Sequence, residues 1–246
     1  MTVKRVLVTG ATGAIGGAIA HEFKRRGAEQ LGVHHRGASS LAKAEALCQE
    51  LGPCAVRVAF DAGDAAAIER EVARFIEHAR GIDALVCGAG TFKADLLATS
   101  DASALAETIA VDLLGPMLCA RAALPAMLRQ RQGVIVMIGS VASVRPNRGQ
   151  CAYAAAKAGL EGLVRAMAVE YARKGVRVVG VRPGPVESAM MTGALALAGD
   201  EVRARTAMRR LVRAEEVASV VADLCSATHS AVTGAMIDVD CGYSLG

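Results

Sequence analysis

A serine, a tyrosine and a lysine occur in an order that suits proton transfer to an oxygen atom. Lys157 follows Tyr153 by one helical turn, and Ser140 comes shortly before them. Residues i and i+4 share one face of a helix, so the phenol and the ammonium are expected to point the same way. A close cation favours the ionised phenol, and a serine hydroxyl can bond the reacting oxygen. The trio predicts acid–base chemistry on an alcohol or carbonyl, although the Tyr/Lys spacing alone also occurs on ordinary exposed helices.

The chain begins with an apolar strand that leads into a glycine-rich turn. Residues 4–9 form a short β-branched run, Gly10 to Gly16 follow, and helical spacing of apolar residues covers 17–26. Strand, glycine turn and helix in this order are the context of a dinucleotide fingerprint. Glycines admit a pyrophosphate, and the helix N-terminus offers free amides. A tight turn without a ligand is the alternative, but the place of the turn in an alternating chain favours a cofactor.

Composition narrows the class of protein. The chain has 246 residues, of which 53% are hydrophobic and 3% aromatic, which fits one α/β domain with an aliphatic core. A net charge of +4 without a basic run argues against nucleic acid. We expect no membrane span and no signal peptide, because long uninterrupted apolar stretches are absent. Seven scattered cysteines without a C-x-x-C pair indicate a reduced, cytoplasmic protein with no metal site.

Strand and helix patterns alternate along the whole chain. The predicted strands cover residues 4–9, 30–34, 55–60, 83–87, 133–138, 176–181 and 235–239, and the predicted helices cover 17–26, 39–51, 64–79, 103–131, 150–173 and 215–226. This alternation implies right-handed βαβ units in one doubly wound parallel sheet of the α/β class. Ligands in such sheets bind beyond the carboxyl ends of the strands, which is where the motifs of this chain fall.

Taken together, these motifs resemble the short-chain dehydrogenase/reductase family over essentially the whole chain, and most nearly its 3-oxoacyl-(acyl-carrier-protein) reductases. The matching segments are Thr9-Gly10 to Gly16, Phe60-Asp61, Gly88-Ala89-Gly90, Ile138-Gly139-Ser140, Tyr153 to Lys157, Arg182-Pro183-Gly184, Thr233-Gly234 and Val239-Asp240. The resemblance implies a single Rossmann-fold domain over residues 1–246, a substrate lid at about 188–210 and a homotetramer.

The resemblance also implies roles for individual residues. Tyr153 is expected to give a proton to the ketone, Ser140 to hold the substrate oxygen, and Lys157 to bind the nicotinamide ribose. Asp61 is expected to accept a hydrogen bond from the adenine. The implied cofactor-binding residues are Gly10, Thr12, Gly13, Ala14, Ile15, Gly16, His35, Arg36, Asp61, Ala62, Gly88, Ala89, Gly90, Tyr153, Lys157, Pro183, Gly184, Val186 and Ser188, the last standing where the family usually has threonine.

Three departures from the family pattern stand out. Gly13-Ala14 replaces a variable residue followed by glycine, and Cys87-Gly88 replaces two asparagines. Asp112 occupies the position of the asparagine of the catalytic tetrad, which helps to hold a water beside the lysine. An aspartate can accept the same hydrogen bond, but its charge stabilises the Lys157 cation and opposes a phenolate at Tyr153. We therefore expect slower or pH-shifted catalysis rather than none.

The end of the second strand indicates the cofactor. An acid there would bind the ribose hydroxyls of NAD, whereas this chain has His34-His35-Arg36. Arg36 can pair with a 2′-phosphate, so we predict NADPH; the alternative is an ordinary solvent-facing arginine. His34 and His35 are interpreted as ribose-edge or surface residues rather than metal ligands, because no cysteine or carboxylate is suitably spaced.

The substrate and the partner follow from two further features. The lid segment contains apolar residues that suit an acyl chain, namely Met190, Met191, Leu195, Leu197 and Met208. Arg131 and Lys174 fall where related carrier-protein reductases have basic residues, and they are candidates to meet the acidic helix of an acyl carrier protein. Solvated helix ends are the alternative for these two residues.

These features lead to three functional hypotheses. The first is NADPH-dependent reduction of a 3-oxoacyl thioester in fatty-acid or polyketide-like synthesis. The second is the same chemistry on a free alcohol, sugar or cyclic ketone. The third is a weakly catalytic nucleotide-binding subunit, which only Asp112 favours.

Overall fold

Seven parallel strands form one sheet in a computed structural model of the chain, which describes residues 3–187 and 199–245. The strands are β1 Arg5–Thr9, β2 Gln30–His35, β3 Ala55–Ala59, β4 Ala84–Cys87, β5 Gly133–Ile138, β6 Val176–Pro183 and β7 Met236–Val239. Their order is β3-β2-β1-β4-β5-β6-β7, and every neighbouring pair is parallel. The order reverses between β1 and β4, so a crevice opens there at the carboxyl ends of the strands. The predicted doubly wound sheet is confirmed.

Helices cover both faces of this sheet. They are α1 Ala14–Arg25, α2 Ala38–Leu51, α3 Ala65–Ala79, α4 Ala102–Ile109, α5 Gly115–Gln130, α6 Cys151–Tyr171 and α7 Ala214–Cys225; residues 199–204 are also helical. One core layer contains apolar residues of α1, α2 and α7, and the other contains those of α3, α5 and α6. The sequence did not predict the short helix at 199–204, and the part of the predicted lid at 188–198 lies outside the described residues.

Strand side chains alternate between the two core layers, as the pleat requires. In β1, Val6 and Val8 belong to the layer with α1, whereas Leu7 lies in the layer with α3. All three are fully buried, because a parallel sheet between two helical layers has no solvent face. An apolar run without alternation in the sequence therefore becomes a strand buried on both sides.

Two predicted boundaries differ from the structure in an informative way. The strand predicted at 176–181 continues to Pro183, because Arg182 and Pro183 pair with Asp238 and Val239 of β7. The helix predicted from 39 begins at Ala38 after Gly37, whose φ of 146° suits glycine, and it has no side-chain cap. The longer β6 carries the segment that follows it further towards the crevice.

One long helix and the seven cysteines bear on membrane and metal binding. By length and composition one helix in the described part of the chain, Ala102–Gln130, is apolar enough to cross a membrane. Half of its most apolar stretch is buried inside the protein, as in a core helix that packs on a sheet. All seven cysteines are free, and residues 3–187 and 199–245 contain no cluster of three His, Cys, Asp or Glu side chains that suits a metal ion.

Candidate active site

A cavity of about 230 Å³ opens at the carboxyl ends of β4, β5 and β6. Its wall contains Ser140, Tyr153 and Lys157, which the sequence predicted as the proton-transfer group. The same wall contains Ile15 of the glycine turn and Pro183 at the end of β6. Residues from distant parts of the chain thus meet where a dinucleotide and a second molecule can lie side by side.

The glycine turn has its shape because side chains are excluded from it. Gly10 has a φ of 69°, and a Cβ on it would lie 2.5 Å from the carbonyl oxygen of Gly88. A Cβ on Gly16 would lie 2.2 Å from the carbonyl oxygen of Gly10. Helix α1 begins at Ala14 and has no side-chain cap at Gly13, so its first amides remain available to an anion. This cradle fits the pyrophosphate of a dinucleotide, and the unusual Ala14 leaves it intact.

His34 connects the glycine turn to the neighbouring strands. Its Nδ1 accepts from the amide of Gly10 at 2.9 Å, and its Nε2 lies 3.0 Å from the carbonyl oxygen of Phe60. The ring is 3% exposed and lies 3.9 Å from the ring of Phe60, centroid to centroid. Burial lowers the pKa of His34 to about 4, so the ring is neutral at neutral pH, as an acceptor at Nδ1 requires.

Burial therefore overturns the surface alternative for His34 and His35, while a place at the ribose edge stays a prediction. Both belong to β2, which lies inside the sheet between β1 and β3, and His35 is 4% exposed. The Nδ1 atom of His35 lies 3.2 Å from the carbonyl oxygen of Gly37. Periodicity did not reveal this burial, because polar residues at a strand end usually indicate a loop.

A threonine that had no predicted role holds the segment Gly88 to Gly90. Thr9 is the last residue of β1, and its hydroxyl accepts from the amides of Gly88 at 3.0 Å and Ala89 at 3.1 Å. Thr9 is 2% exposed. The hydroxyl fixes this backbone although the family's asparagine side chains are absent. The one feature of the sequence that could have indicated this role is the position of Thr9 at the end of a strand.

Lys157 is buried and held from two sides. It is 5% exposed, and its Nζ lies 3.0 Å from Oδ1 of Asp112 and donates to the carbonyl oxygen of Ile138 at 3.2 Å. The Nζ is also 5.5 Å from the ring centroid of Tyr153. Burial opposes the charge, but Tyr153 and Asp112 outweigh it and raise the pKa of Lys157. The predicted Tyr/Lys pairing on one helical face is present, with the lysine as a fixed cation.

Asp112 reaches Lys157 because the long helix widens at this point. Residues Ala110–Leu114 form a π-turn between α4 and α5, a feature that often marks functional sites. Asp112 is fully buried, and its Oδ2 accepts from the amide of Thr91 at 3.0 Å. A Cβ on Gly90 would lie 2.7 Å from Oδ1 of Asp112, so a side chain there would displace the carboxylate. The carboxylate of Asp112 therefore forms an ion pair directly with the Lys157 ammonium.

The loop after β5 holds Ser140 so that its hydroxyl hydrogen remains available for donation. Its Oγ accepts from the amide of Ala142 at 3.1 Å, and within the described chain no acceptor takes its own hydrogen. The single hydrogen of the Ser143 hydroxyl is shared between two acceptors, the carbonyl oxygen of Ser140 at 2.7 Å and the carboxylate of Glu161 in α6. The loop is therefore fastened to the helix that carries Tyr153, and the Ser140 hydroxyl can donate to a substrate oxygen.

Two further predicted regions follow the carboxyl ends of β6 and β2. A Cβ on Gly184 would lie 2.7 Å from Cα of Asp240, and Val186 is 6% exposed; Ser188 lies outside the described residues. Arg36 has an exposed side chain whose Nε is 4.0 Å from Asp61 and whose Nη1 is 3.9 Å from Glu107. These long contacts with exposed acids leave the guanidinium able to bind another anion.

Arg131 and Lys174 lie at the amino ends of the strands, at the opposite end of the sheet from the cavity. Arg131 caps the end of α5 and Lys174 follows α6, so both directly precede a strand, β5 and β6 respectively. The cavity is at the carboxyl ends of these strands, and β5 alone has six residues, a length of about 20 Å. A protein bound at Arg131 and Lys174 therefore faces away from the cavity of the same subunit.

Comparisons with known proteins extend this picture. The family model described as "Enoyl-(Acyl carrier protein) reductase" matches residues 10–244. The cis-4-hydroxycyclohexanecarboxylate dehydrogenase of Sinomonas cyclohexanicum is 36% identical over 97% of this chain and 95% of its own. The 3-oxoacyl-(acyl-carrier-protein) reductase FabG of Vibrio cholerae is 35% identical over 98% of each chain. The crystal structure of a short-chain dehydrogenase from Burkholderia cenocepacia in complex with NADP has a TM-score of 0.89 and 30% identity, covering 98% of this chain and 97% of that one.

Proposed function

Because the chain belongs to the short-chain dehydrogenase/reductase family, we propose that it catalyses the NADPH-dependent reduction of a 3-oxoacyl thioester to the 3-hydroxyacyl thioester, in fatty-acid or polyketide-like synthesis. The observation that carries this proposal is the cavity in which Ser140, Tyr153 and Lys157 meet the turns of the nucleotide crevice. Relatives named as 3-oxoacyl-(acyl-carrier-protein) reductases, about a third identical over nearly the full length, support the choice of substrate.

The residues of the cavity divide the work of carbonyl reduction. When bound, the nicotinamide supplies the hydride. Ser140 donates a hydrogen bond to the carbonyl oxygen and orients it, and Tyr153 gives that oxygen a proton. Lys157 keeps its charge beside the tyrosine and stabilises the anion that the proton leaves behind. Asp112 and the Ile138 carbonyl hold the ammonium in place.

A direct assay tests this function. NADPH oxidation should depend on an acetoacetyl thioester, supplied either on an acyl carrier protein or as a small surrogate. If the wild type reduces free cyclic ketones but no acyl thioester, the substrate proposal is wrong and the second candidate stands. That candidate is an oxidoreductase of a free alcohol, sugar or cyclic ketone, and the 36% identity to a cis-4-hydroxycyclohexanecarboxylate dehydrogenase favours it.

The preference for NADPH is proposed to rest on Arg36. We expect Arg36→Ala to lower kcat/KM for NADPH by about tenfold to a hundredfold, because a charge-assisted contact with the 2′-phosphate is lost. Turnover with NADH should hardly change, since NADH has no such phosphate. Steady-state kinetics with both cofactors measures the two values.

Arg57 offers a matched control for this variant. It is an arginine on the adjacent strand β3, is similarly exposed, and pairs with Glu45 at 2.6 Å. Arg57→Ala should leave the cofactor preference of the wild type unchanged. A wild type that works better with NADH, or an Arg36→Ala variant that loses both cofactors equally, would refute the assignment.

We also propose that the protein acts as a homotetramer whose substrate arrives on an acyl carrier protein. Apolar side chains exposed on α5 and α6, such as Met117 at 40% and Val169 at 84%, support contacts between subunits. Arg131 and Lys174 support carrier binding by their charge. Since they face away from their own cavity, a carrier bound there can only serve the cavity of another subunit, so carrier docking depends on the assembly.

The docking proposal predicts a split between substrates. Arg131→Glu/Lys174→Glu should lower kcat/KM for the carrier-bound substrate by about tenfold or more, and this loss should shrink with added salt. Turnover of a small thioester surrogate should remain at the wild-type level. Lys43→Glu/Arg25→Glu, on helices α2 and α1 of the other layer, is the control with the same change in net charge. Equal losses of kcat/KM on both substrates would count against docking at Arg131 and Lys174.

A further inference from the structure

Arg145 belongs to the wall of the catalytic cavity although it has no place in proton transfer. It lies in the loop that follows Ser140, and its side chain is half-buried. Asn147 and Tyr243 line the same cavity. One side of the cavity is therefore polar and cationic. This differs from the apolar surroundings that an unbranched acyl chain prefers.

The guanidinium of Arg145 is held in a defined position. Its Nη1 donates to the carbonyl oxygen of Tyr243, and its Cζ lies 5.0 Å from the centroid of the Tyr243 ring. Tyr243 is 3% exposed, and Nδ2 of Asn147 lies 3.1 Å from its hydroxyl. A cation that is fixed in this way loses little conformational freedom when it binds an anion.

No carboxylate neutralises Arg145 in the part of the chain that the structure describes. By contrast, Arg182 in β6 and Arg210 form ion pairs of 2.8 Å with Asp238 and Glu216 respectively. The sequence of residues 188–198 contains neither aspartate nor glutamate. Arg145 thus brings a positive charge into the cavity that the surrounding protein does not balance.

We propose that Arg145 binds a carboxylate of the substrate, so that the physiological substrate is a keto acid or hydroxy acid whose acid group lies a few bonds from the reacting carbon. A planar guanidinium binds a carboxylate through two parallel hydrogen bonds, and the Asn147 amide adds a further donor. Arg145 lines the same cavity of about 230 Å³ as Ser140 and Tyr153, so an acid group bound at Arg145 belongs to the reacting molecule itself. The inference rests on the proposed carbonyl chemistry of this cavity and specifies its substrate class.

Two pairs of substrates that differ only in charge provide the test. The first pair is 4-oxocyclohexanecarboxylate and its carboxamide. The second is the N-acetylcysteamine monothioester of 3-oxohexanedioic acid, with its other carboxyl group free or as the methyl ester. In the pair that the wild type accepts, we expect kcat/KM for the acid to exceed that for the neutral member by about tenfold to a hundredfold.

Variants assign this preference to one side chain. Arg145→Met should remove it by raising KM for the acid far more than KM for the neutral member, so that the ratio of the two kcat/KM values falls to about one. Arg145→Lys should keep part of it, because the charge remains and the planar fork is lost. Arg148→Met is the control, since Arg148 is an exposed arginine of the same loop and its loss should leave the preference intact.

The outcomes separate this inference from the proposed function. A wild type that does not prefer the acid in either pair overturns it, as does an Arg145→Met variant that loses both members equally; the residue would then only hold Tyr243. If Arg145→Met does not fold, the wild-type comparison and Arg145→Lys decide. Reduction of the ring ketone alone, with an Arg145-dependent preference, refutes the thioester function and supports the inference. Equal reduction of the thioester acid and its ester supports the function and refutes the inference.

Discussion

Tyr153→Phe is expected to lower kcat for carbonyl reduction by about a hundredfold to ten-thousandfold, the usual contribution of a positioned acid. The substitution removes only the hydroxyl, and the ring keeps its edge-to-face contact with Phe92, 5.2 Å away between centroids. Affinity for NADPH should therefore remain close to that of the wild type. Single-turnover NADPH oxidation measures the rate, and fluorescence titration of NADPH measures the binding.

The same helix provides a control for this variant. Tyr171 ends α6 far from the cavity, with Nζ of Lys174 5.6 Å from its ring. Tyr171→Phe should turn over like the wild type. A Tyr153→Phe variant with undiminished kcat would show that the proton comes from elsewhere, and the acid–base assignment would be wrong.

Lys157→Met is expected to abolish activity and also to lower the free energy of unfolding by about 3–5 kcal/mol at neutral pH. Asp112 is fully buried and its Oδ1 faces the Lys157 ammonium, so the variant leaves a buried carboxylate without its counter-charge. Urea unfolding of wild type and variant at neutral pH measures the loss of stability, and NADPH oxidation measures the loss of activity.

Asp112→Asn separates the structural and chemical parts of this effect. The double variant Lys157→Met/Asp112→Asn should regain most of the stability but none of the activity, because the unpaired charge is gone and the catalytic cation is still missing. The single variant Asp112→Asn should move the alkaline limb of the reduction profile to lower pH, since a negative charge that opposes the phenolate is removed. A double variant no more stable than Lys157→Met, together with an unshifted pH profile, would contradict this account of the pair.

Much of the fold followed from local patterns. The glycine turn is required where β1 meets α1, and the backbone of Gly10 and Gly16 shows why, since a Cβ at either position would collide with a carbonyl oxygen. The doubly wound sheet followed from alternating strands and helices. Boundaries were predicted less accurately, as at Pro183, because β6 ends where its pairing with β7 ends and not where its own pattern stops.

The candidate site was predicted in its types of residue but not in its connections. The spacing of Tyr153 and Lys157 already indicated a shared helical face. Nothing local indicated that Thr9 would hold Gly88 and Ala89, or that His34 would be buried beneath the glycine turn. These contacts join residues from different strands, and a pattern within one strand carries no information on which side chain the next strand presents.

By itself the sequence determined an α/β chain, a glycine cradle at its first turn and a tyrosine and lysine on one helical face, because each depends on spacing within a single turn or element. Only the tertiary structure decided that Asp112 pairs directly with Lys157 and that Arg145 enters the cavity. It also decided that Arg131 and Lys174 lie at the amino ends of the strands, away from the cavity. The physical reason is that charge and burial at a site are set by strand order and by the packing of helices, which bring together residues that are far apart in the chain.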